Sequence, residues 1–264
     1  MGKLTIRPLN TGSMGLPSIF LFHSSVLPVY QLPAIIDGTP VFCYLVEGGD
    51  KPLLVDSGMC STEQTHKYHN KAAFQHKGMS ILEQLAKLGY SPEDIGHVVL
   101  THLHWDHCQN LEYFVNARFY AHPVEIAFAA DPIPPHYKEY EHPIIGIQSP
   151  FSNVKLEPVL EGAEIIPGVS IIETPGHTPG HICVLVEASS GVYICTGDAL
   201  ASPNNLKPVE ELHYSISPPG VQLDFIRGWA SVEKVKSYVT GPDRVLCCHD
   251  KTLLDRISED PVLR

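Results

Sequence analysis

One short segment constrains this chain more than any other: Thr101-His102-Leu103-His104-Trp105-Asp106-His107, placed directly after the apolar run His97-Val98-Val99-Leu100. Such a run reads as a buried strand. If the chain stays extended to His104, His102 and His104 point to the same side, because strand side chains alternate. A tight turn at Trp105 then swings Asp106 and His107 toward a neighbouring point. Imidazole nitrogens suit zinc and other first-row metals, and a carboxylate suits a harder neighbour. One cation does not comfortably take all four groups, so two adjacent cation sites are expected. A lone histidine in a loop is usually only polar surface. Four ligand-type side chains within six residues, after a buried strand, are not.

The same pattern recurs downstream, where apolar runs end on His or Asp. It occurs at Glu173-Thr174-Pro175-Gly176-His177, at Thr196-Gly197-Asp198 and at Cys248-His249. Strand ends along one edge of a sheet can aim their side chains at a common point. Between them, Val41 to Val46, Pro52 to Val55, Arg118 to Ala121, Val169 to Glu173, Ile182 to Val186, Val192 to Cys195 and Arg244 to Cys248 read as strands. Helices are expected over 80–88, 123–129 and 221–239. The first carries a Ser80/Glu83 capping box and stops at Gly89. The last turns Phe225, Ile226, Trp229, Val232 and Val235 inward. Residues 131–151 have no clean period and read as a long loop, and such loops in compact domains are often functional. No linker or low-complexity tract divides the chain, so one domain over 1–264 is expected.

Histidine is abundant at 15 copies, in keeping with metal. Net charge is -11, with 18 Lys+Arg against 29 Asp+Glu and no dense basic cluster. That balance repels phosphate backbones, so nucleic acid is disfavoured and a small-molecule substrate favoured. The seven cysteines include no C-x-x-C and two neighbours, Cys247 and Cys248. This is no disulfide framework and suggests a reducing, cytoplasmic setting. Neither a signal-peptide core nor an apolar run long enough for a bilayer is present, so no membrane is expected.

His102, His104, Asp106 and His107 resemble the signature of the metallo-β-lactamase superfamily. The likeness continues in order through Thr174-Pro175-Gly176-His177-Thr178-Pro179-Gly180-His181, Thr196-Gly197-Asp198 and Cys248-His249-Asp250, spanning about Val41 to Asp250. It implies a mixed α/β, four-layer αββα sandwich. It implies that His102, His104 and His177 hold one metal, that Asp106, His107 and His249 hold a second, and that Asp198 bridges both. Spacing alone does not separate His177 from His181. The family pattern takes the first, leaving His181 beside the site. Asp56, in Val55-Asp56-Ser57-Gly58, matches a turn that braces the site loops. The implied cofactors are two divalent ions, zinc first, although the N/O donor set also accepts manganese, cobalt or iron. The implied chemistry is hydrolysis by a hydroxide bridging the pair, with Asp106 and Asp198 as the catalytic carboxylates.

Within the superfamily the chain is most similar to the N-acyl homoserine lactonases, which act in quorum quenching by opening an ester ring. Pro40 to Val46 and Val55-Asp56-Ser57-Gly58-Met59 carry that likeness. One position departs: those lactonases have a tyrosine three residues after the bridging Asp, and here it is Ala201. Tyr214, Tyr137 and Tyr140 are the candidate substitutes. The runner-up is a thioester hydrolase resembling glyoxalase II, for which Thr196-Gly197-Asp198-Ala199-Leu200 speaks and the short stretch after His249 speaks against. A β-lactamase, an iron-dependent persulfide dioxygenase and a non-catalytic metal scaffold are lesser alternatives.

Other residues carry plainer expectations. Trp105, Cys108, Cys247 and Cys248 are expected to pack in the core. His66, His69 and His76, with Met59 and Phe74, lie near the expected pocket mouth or in exposed loop. His136, Tyr137, Tyr140 and His142 belong to an expected substrate lid. The apolar stretch Ile19 to Tyr30 would line the pocket or a homodimer contact.

Overall fold

The computed structural model describes residues 4–259 and 261–264. In chain order its strands are β1 (Thr5–Pro17), β2 (Ile35–Glu47), β3 (Leu53–Val55), β4 (His97–Val99), β5 (Arg118–Ala121), β6 (Leu156–Pro158), β7 (Glu164–Ile166), β8 (Val169–Glu173), β9 (Ile182–Ala188), β10 (Gly191–Gly197) and β11 (Val245–Cys247). Its α-helices are α1 (Ser18–Leu21), α2 (Leu27–Tyr30), α3 (Thr62–Tyr68), α4 (Ile81–Lys87), α5 (Pro123–Ala130), α6 (Phe225–Tyr238) and α7 (Lys251–Glu259). The described strands form two sheets, ordered β1-β2-β3-β4-β5-β6 and β11-β10-β9-β8-β7.

Alternation along the strands decides how these sheets stack. Phe42, Tyr44 and Val46 of β2 face Val169, Ile171, Val184 and Val186 of the second sheet, in a core shared by both. Cys43 and Leu45, one residue out of phase, pack outward with Ile81 and Leu85 of α4. Cys183 and Ile194 pack outward from the second sheet against Val232 and Val235 of α6. Helix, sheet, sheet and helix make the αββα sandwich the resemblance implied.

Several elements differ from the sequence reading. β1 pairs with β2 along most of its length, yet was not expected as a strand. Pro8, Asn10, Gly12 and Gly15 interrupt its pattern, and its register shifts after Asn10 and again after Met14. α3 is polar and buries only Thr65, so its apolar period is silent. α6 begins at Phe225, four residues later than expected, because Asp224 caps it by accepting from the Arg227 N–H at 3.0 Å. Val232 and Val235 point inward, but Phe225 is 37% and Ile226 81% exposed, overturning their assignment to the inner face.

The fold gathers five chain segments at one edge. β3, β4 and β5 run parallel, as do β10 and β11. Their C-terminal ends deliver Asp56, the 101–107 segment, Asp198 and His249, while the loop between β8 and β9 delivers His177 and His181.

Candidate metal centre

All seven side chains expected to hold metal are buried and converge. His102, His104 and His177 place one ligand atom each within 4.8 Å of one another, and so do His107, Asp198, His249 and Cys248. Asp198 stands between the groups. Its Oδ2 lies 3.5 Å from His177 Nε2, and its Oδ1 lies 3.4 Å from both His107 Nε2 and His249 Nε2. Asp106 approaches the second group through Oδ2, 3.5 Å from His249 Nε2 and 3.9 Å from His107 Nε2.

Hydrogen bonds behind the site set which ring nitrogen each histidine offers. Asp56, left-handed at φ +60°, accepts from the Thr101 N–H (2.8 Å), the Thr101 hydroxyl (2.9 Å) and His107 Nδ1–H (2.9 Å). With its proton directed to Asp56, Thr101 Oγ1 is left to accept from His102 Nδ1–H at 3.1 Å. His177 Nδ1–H donates to the Val221 carbonyl (2.9 Å) and His249 Nδ1–H to the Pro40 carbonyl (2.8 Å). Each of these four rings therefore turns its Nε2 to the centre. His104 differs, presenting Nδ1 at 3.2 Å from His177 Nε2. That spacing suits two ligands of one tetrahedral cation with metal–nitrogen bonds of about 2.0–2.1 Å.

His102 Nε2, His107 Nε2 and Asp198 Oδ1 are buried with no hydrogen-bond partner. Orphaned polar atoms of this kind each cost about 1–3 kcal/mol. A cation satisfies them together, so the donor set fits a pair of metal ions. Electrostatics separates the two groups. Burial, reinforced by neighbouring imidazoles, pushes His102 and His104 well below the usual histidine range, leaving neutral ligands. Burial also opposes charge on His107 and His249, but Cys248, Asp198 and Asp106 around them win and raise both well above it. Asp198 is held well below the usual carboxylate range; burial would raise it, and His249 and His107 outweigh that.

His181 is engaged on both sides. Its Nε2 accepts from the Asp198 N–H at 3.2 Å and its Nδ1 meets Thr174 Oγ1 at 2.9 Å. It props the Asp198 backbone rather than facing the two clusters. Gly197 permits this contact: at φ +47°, a Cβ there would lie 2.5 Å from Thr101 Oγ1 and 2.8 Å from His181 Nε2.

A cavity of about 610 Å³ opens onto His104, Asp106, His177, Asp198 and His249. Met14, Leu16, Phe20 and Leu223 form an apolar wall, and His69, His136, Lys138 and Gln222 a polar one. The 131–151 loop supplies His136, Lys138 and Glu139, as a lid would. Trp105 also lines the cavity, stacked on His69 at 4.1 Å, so it is more than packing. Cys108 does pack, its thiol donating to the Leu103 carbonyl. His66 bonds the Ala73 carbonyl and His76 stacks on Phe74; of those three histidines only His69 reaches the cavity. Among the described residues no tyrosine lines it. Tyr140 is fully buried edge-on to His104, and Tyr214 packs on Trp229. Ala201 is buried, its N–H bound to Asn205 Oδ1.

Glu125 was missed by sequence reasoning. It is fully buried at the start of α5, where its carboxylate accepts from Leu103 N–H (3.1 Å), Tyr140 O–H (2.8 Å), Thr178 O–H (2.6 Å) and Gly180 N–H (3.2 Å). One side chain thus ties the 101–107 segment, the 174–181 loop and the lid. Glu125→Gln turns one acceptor into a donor facing donors. Urea unfolding is expected to show a loss of about 1–3 kcal/mol; unchanged stability would remove Glu125 from this role.

Fold and site define a metal-dependent hydrolase, and the chain belongs to the metallo-beta-lactamase superfamily, whose sequence pattern it matches over residues 36–240. It is closely related to N-acyl homoserine lactonases. One from Bacillus sp is 32% identical over 197 residues, covering 71% of this chain and 74% of the relative. Another from Bacillus thuringiensis is 30% identical over 224 residues, covering 81% and 84%. The solved structure of an N-acyl homoserine lactone hydrolase, with N-hexanoyl-L-homoserine at its catalytic metal center, superposes with a TM-score of 0.75. That match is 21% identical over 97% of each chain and is a likeness of fold.

Proposed function

We propose that this protein opens the ester ring of N-acyl homoserine lactones at a pair of divalent cations, zinc in the first instance. His102, His104 and His177 would hold one ion, and Asp106, His107 and His249 the other. The carrying observation is Asp198, whose two oxygens face the two histidine groups separately at 3.4–3.5 Å. When bound, paired cations supply Lewis acidity and lower the pKa of water to about 7.

The chain's own side chains account for the rest. The apolar wall holds an acyl chain. Gln222 lines the cavity with both carboxamide atoms buried and unpaired, which favours a ligand with an amide to pair them. His136, reaching the cavity from the lid, takes up the polar contact that the family's tyrosine would make and Ala201 does not. Water adds to the ring carbonyl carbon and the ring C–O bond breaks. Asp106, at the cavity wall, carries the displaced proton to the departing oxygen, giving the hydroxy acid. We read residues 1–264 as one domain, on the core shared by the two sheets. We read the compartment as a reducing cytoplasm, on seven free, buried cysteines. Among the described residues no helix is long and apolar enough to cross a membrane. The excess of acidic residues speaks against nucleic acid as a partner.

The test is acid release followed by pH-stat from acyl homoserine lactones, glutathione thioesters and β-lactams. The lactones are expected to be hydrolysed with the highest kcat/KM. Turnover confined to the thioesters would replace this reading with the glyoxalase II-like one.

A further inference from the structure

The second group contains Cys248, which packs in the core as expected, in a cluster with Met59 and Trp105. Cys248 follows β11 at a turn rather than in extended chain, so it and His249 are released from strict alternation. Its Sγ, a ring nitrogen of each of His107 and His249 and a carboxylate oxygen of Asp198 all lie within 4.8 Å of one another. All four residues are buried. Two of the facing atoms, His107 Nε2 and Asp198 Oδ1, lack any hydrogen-bond partner. Three of the other buried thiols are hydrogen-bonded: Cys60 meets Thr65 Oγ1, Cys108 donates to the Leu103 carbonyl and Cys183 to the Thr196 carbonyl. Asp106 and Cys248 also differ in placement, since Asp106 lines the cavity and Cys248 does not.

We propose that Cys248 ligates the second cation as a thiolate. The ion would then rest on Cys248 together with His107, His249, Asp106 and Asp198. Binding releases the thiol proton to solvent and forms one metal–sulfur bond, with no change of oxidation state. A thiolate also makes this position softer than its neighbour, biasing it toward zinc or cobalt over manganese or magnesium.

This inference rests on the two-cation site and not on the substrate, and its test reads sulfur rather than turnover. X-ray absorption of the zinc-loaded protein is expected to show a sulfur shell at about 2.3 Å, roughly one sulfur for two metals. The cobalt-loaded protein should show a near-ultraviolet thiolate-to-cobalt band that disappears in Cys248→Ser and persists in Cys247→Ser. Elemental analysis alongside separates the two ideas. Two metals per chain with nitrogen and oxygen scattering only, or a band that survives Cys248→Ser, would overturn the thiolate and leave the paired site standing. Fewer than two metals per chain would overturn both.

Discussion

Asp198→Asn is expected to bring bound metal from two ions per chain to one or fewer and to lower kcat/KM by more than about 100-fold, since losing even an outer partner of a metal ligand costs about 10–100-fold. The size follows from position. Asp198 is the one carboxylate facing both histidine groups, Oδ2 toward His177 and Oδ1 toward His107 and His249. Asparagine keeps the shape but removes the charge and one of the two anionic oxygens. One carbonyl oxygen cannot serve both ions, and the NH2 offers a cation no lone pair. Elemental analysis and steady-state kinetics check it. A variant with two metals and near-normal turnover would contradict the bridging role.

Asp56→Ala should act without touching the centre. Its carboxylate is the terminus of three hydrogen bonds, from Thr101 N–H, Thr101 O–H and His107 Nδ1–H. Removing it orphans three buried donors and breaks a buried pair, a change worth about 3–5 kcal/mol. It also frees the two protons that fix ring orientation. His107 loses the acceptor for Nδ1–H directly. His102 loses it at one remove, because Thr101 Oγ1 no longer has to direct its own proton to Asp56. Metal affinity is therefore expected to fall about 10–100-fold alongside stability. Chemical unfolding of the metal-loaded variant and a chelator competition would measure both. Asp56→Asn separates the effects: it tolerates φ +60° and keeps an acceptor for Thr101 N–H, but sets an NH2 against His107 Nδ1–H. Loss of metal affinity in the alanine variant alone would show that backbone support, not ring orientation, is what Asp56 provides.

The parts of this molecule that were legible in the sequence are those whose chemistry is local. The metal segment from His102 to His107 carries its ligands within one strand end and one turn, so spacing alone announced it. The inward and outward phases of β2 show in Phe42-Cys43-Tyr44-Leu45-Val46 because alternation is a property of neighbours. The resemblance then named His177, Asp198 and His249, and the structure brings them to the same point. What stayed hidden depends on contacts between distant segments. Glu125 looks like any acidic residue in the first turn of a helix until four donors from three loops are folded onto it. Cys248 does pack as a small apolar residue, yet a turn also lays its thiol near His107 and His249, which spacing does not show. Gln222 sits where a helix was expected, and the chain instead stays irregular there, with the Val221 carbonyl receiving His177 Nδ1–H. β1 was obscured by its own prolines, glycines and register shifts, which only the pairing with β2 overrides.

The central claim is that two cations share Asp198, and metal titration addresses it most directly. Protein stripped with a strong chelator and dialysed free of it would be titrated with zinc in a calorimeter, with hydrolysis followed in parallel. Saturation at two equivalents per chain is expected, with turnover absent beforehand and restored as the pair fills. Hydrolysis that persists at full rate in the stripped protein, or saturation at one equivalent with full activity, would contradict it.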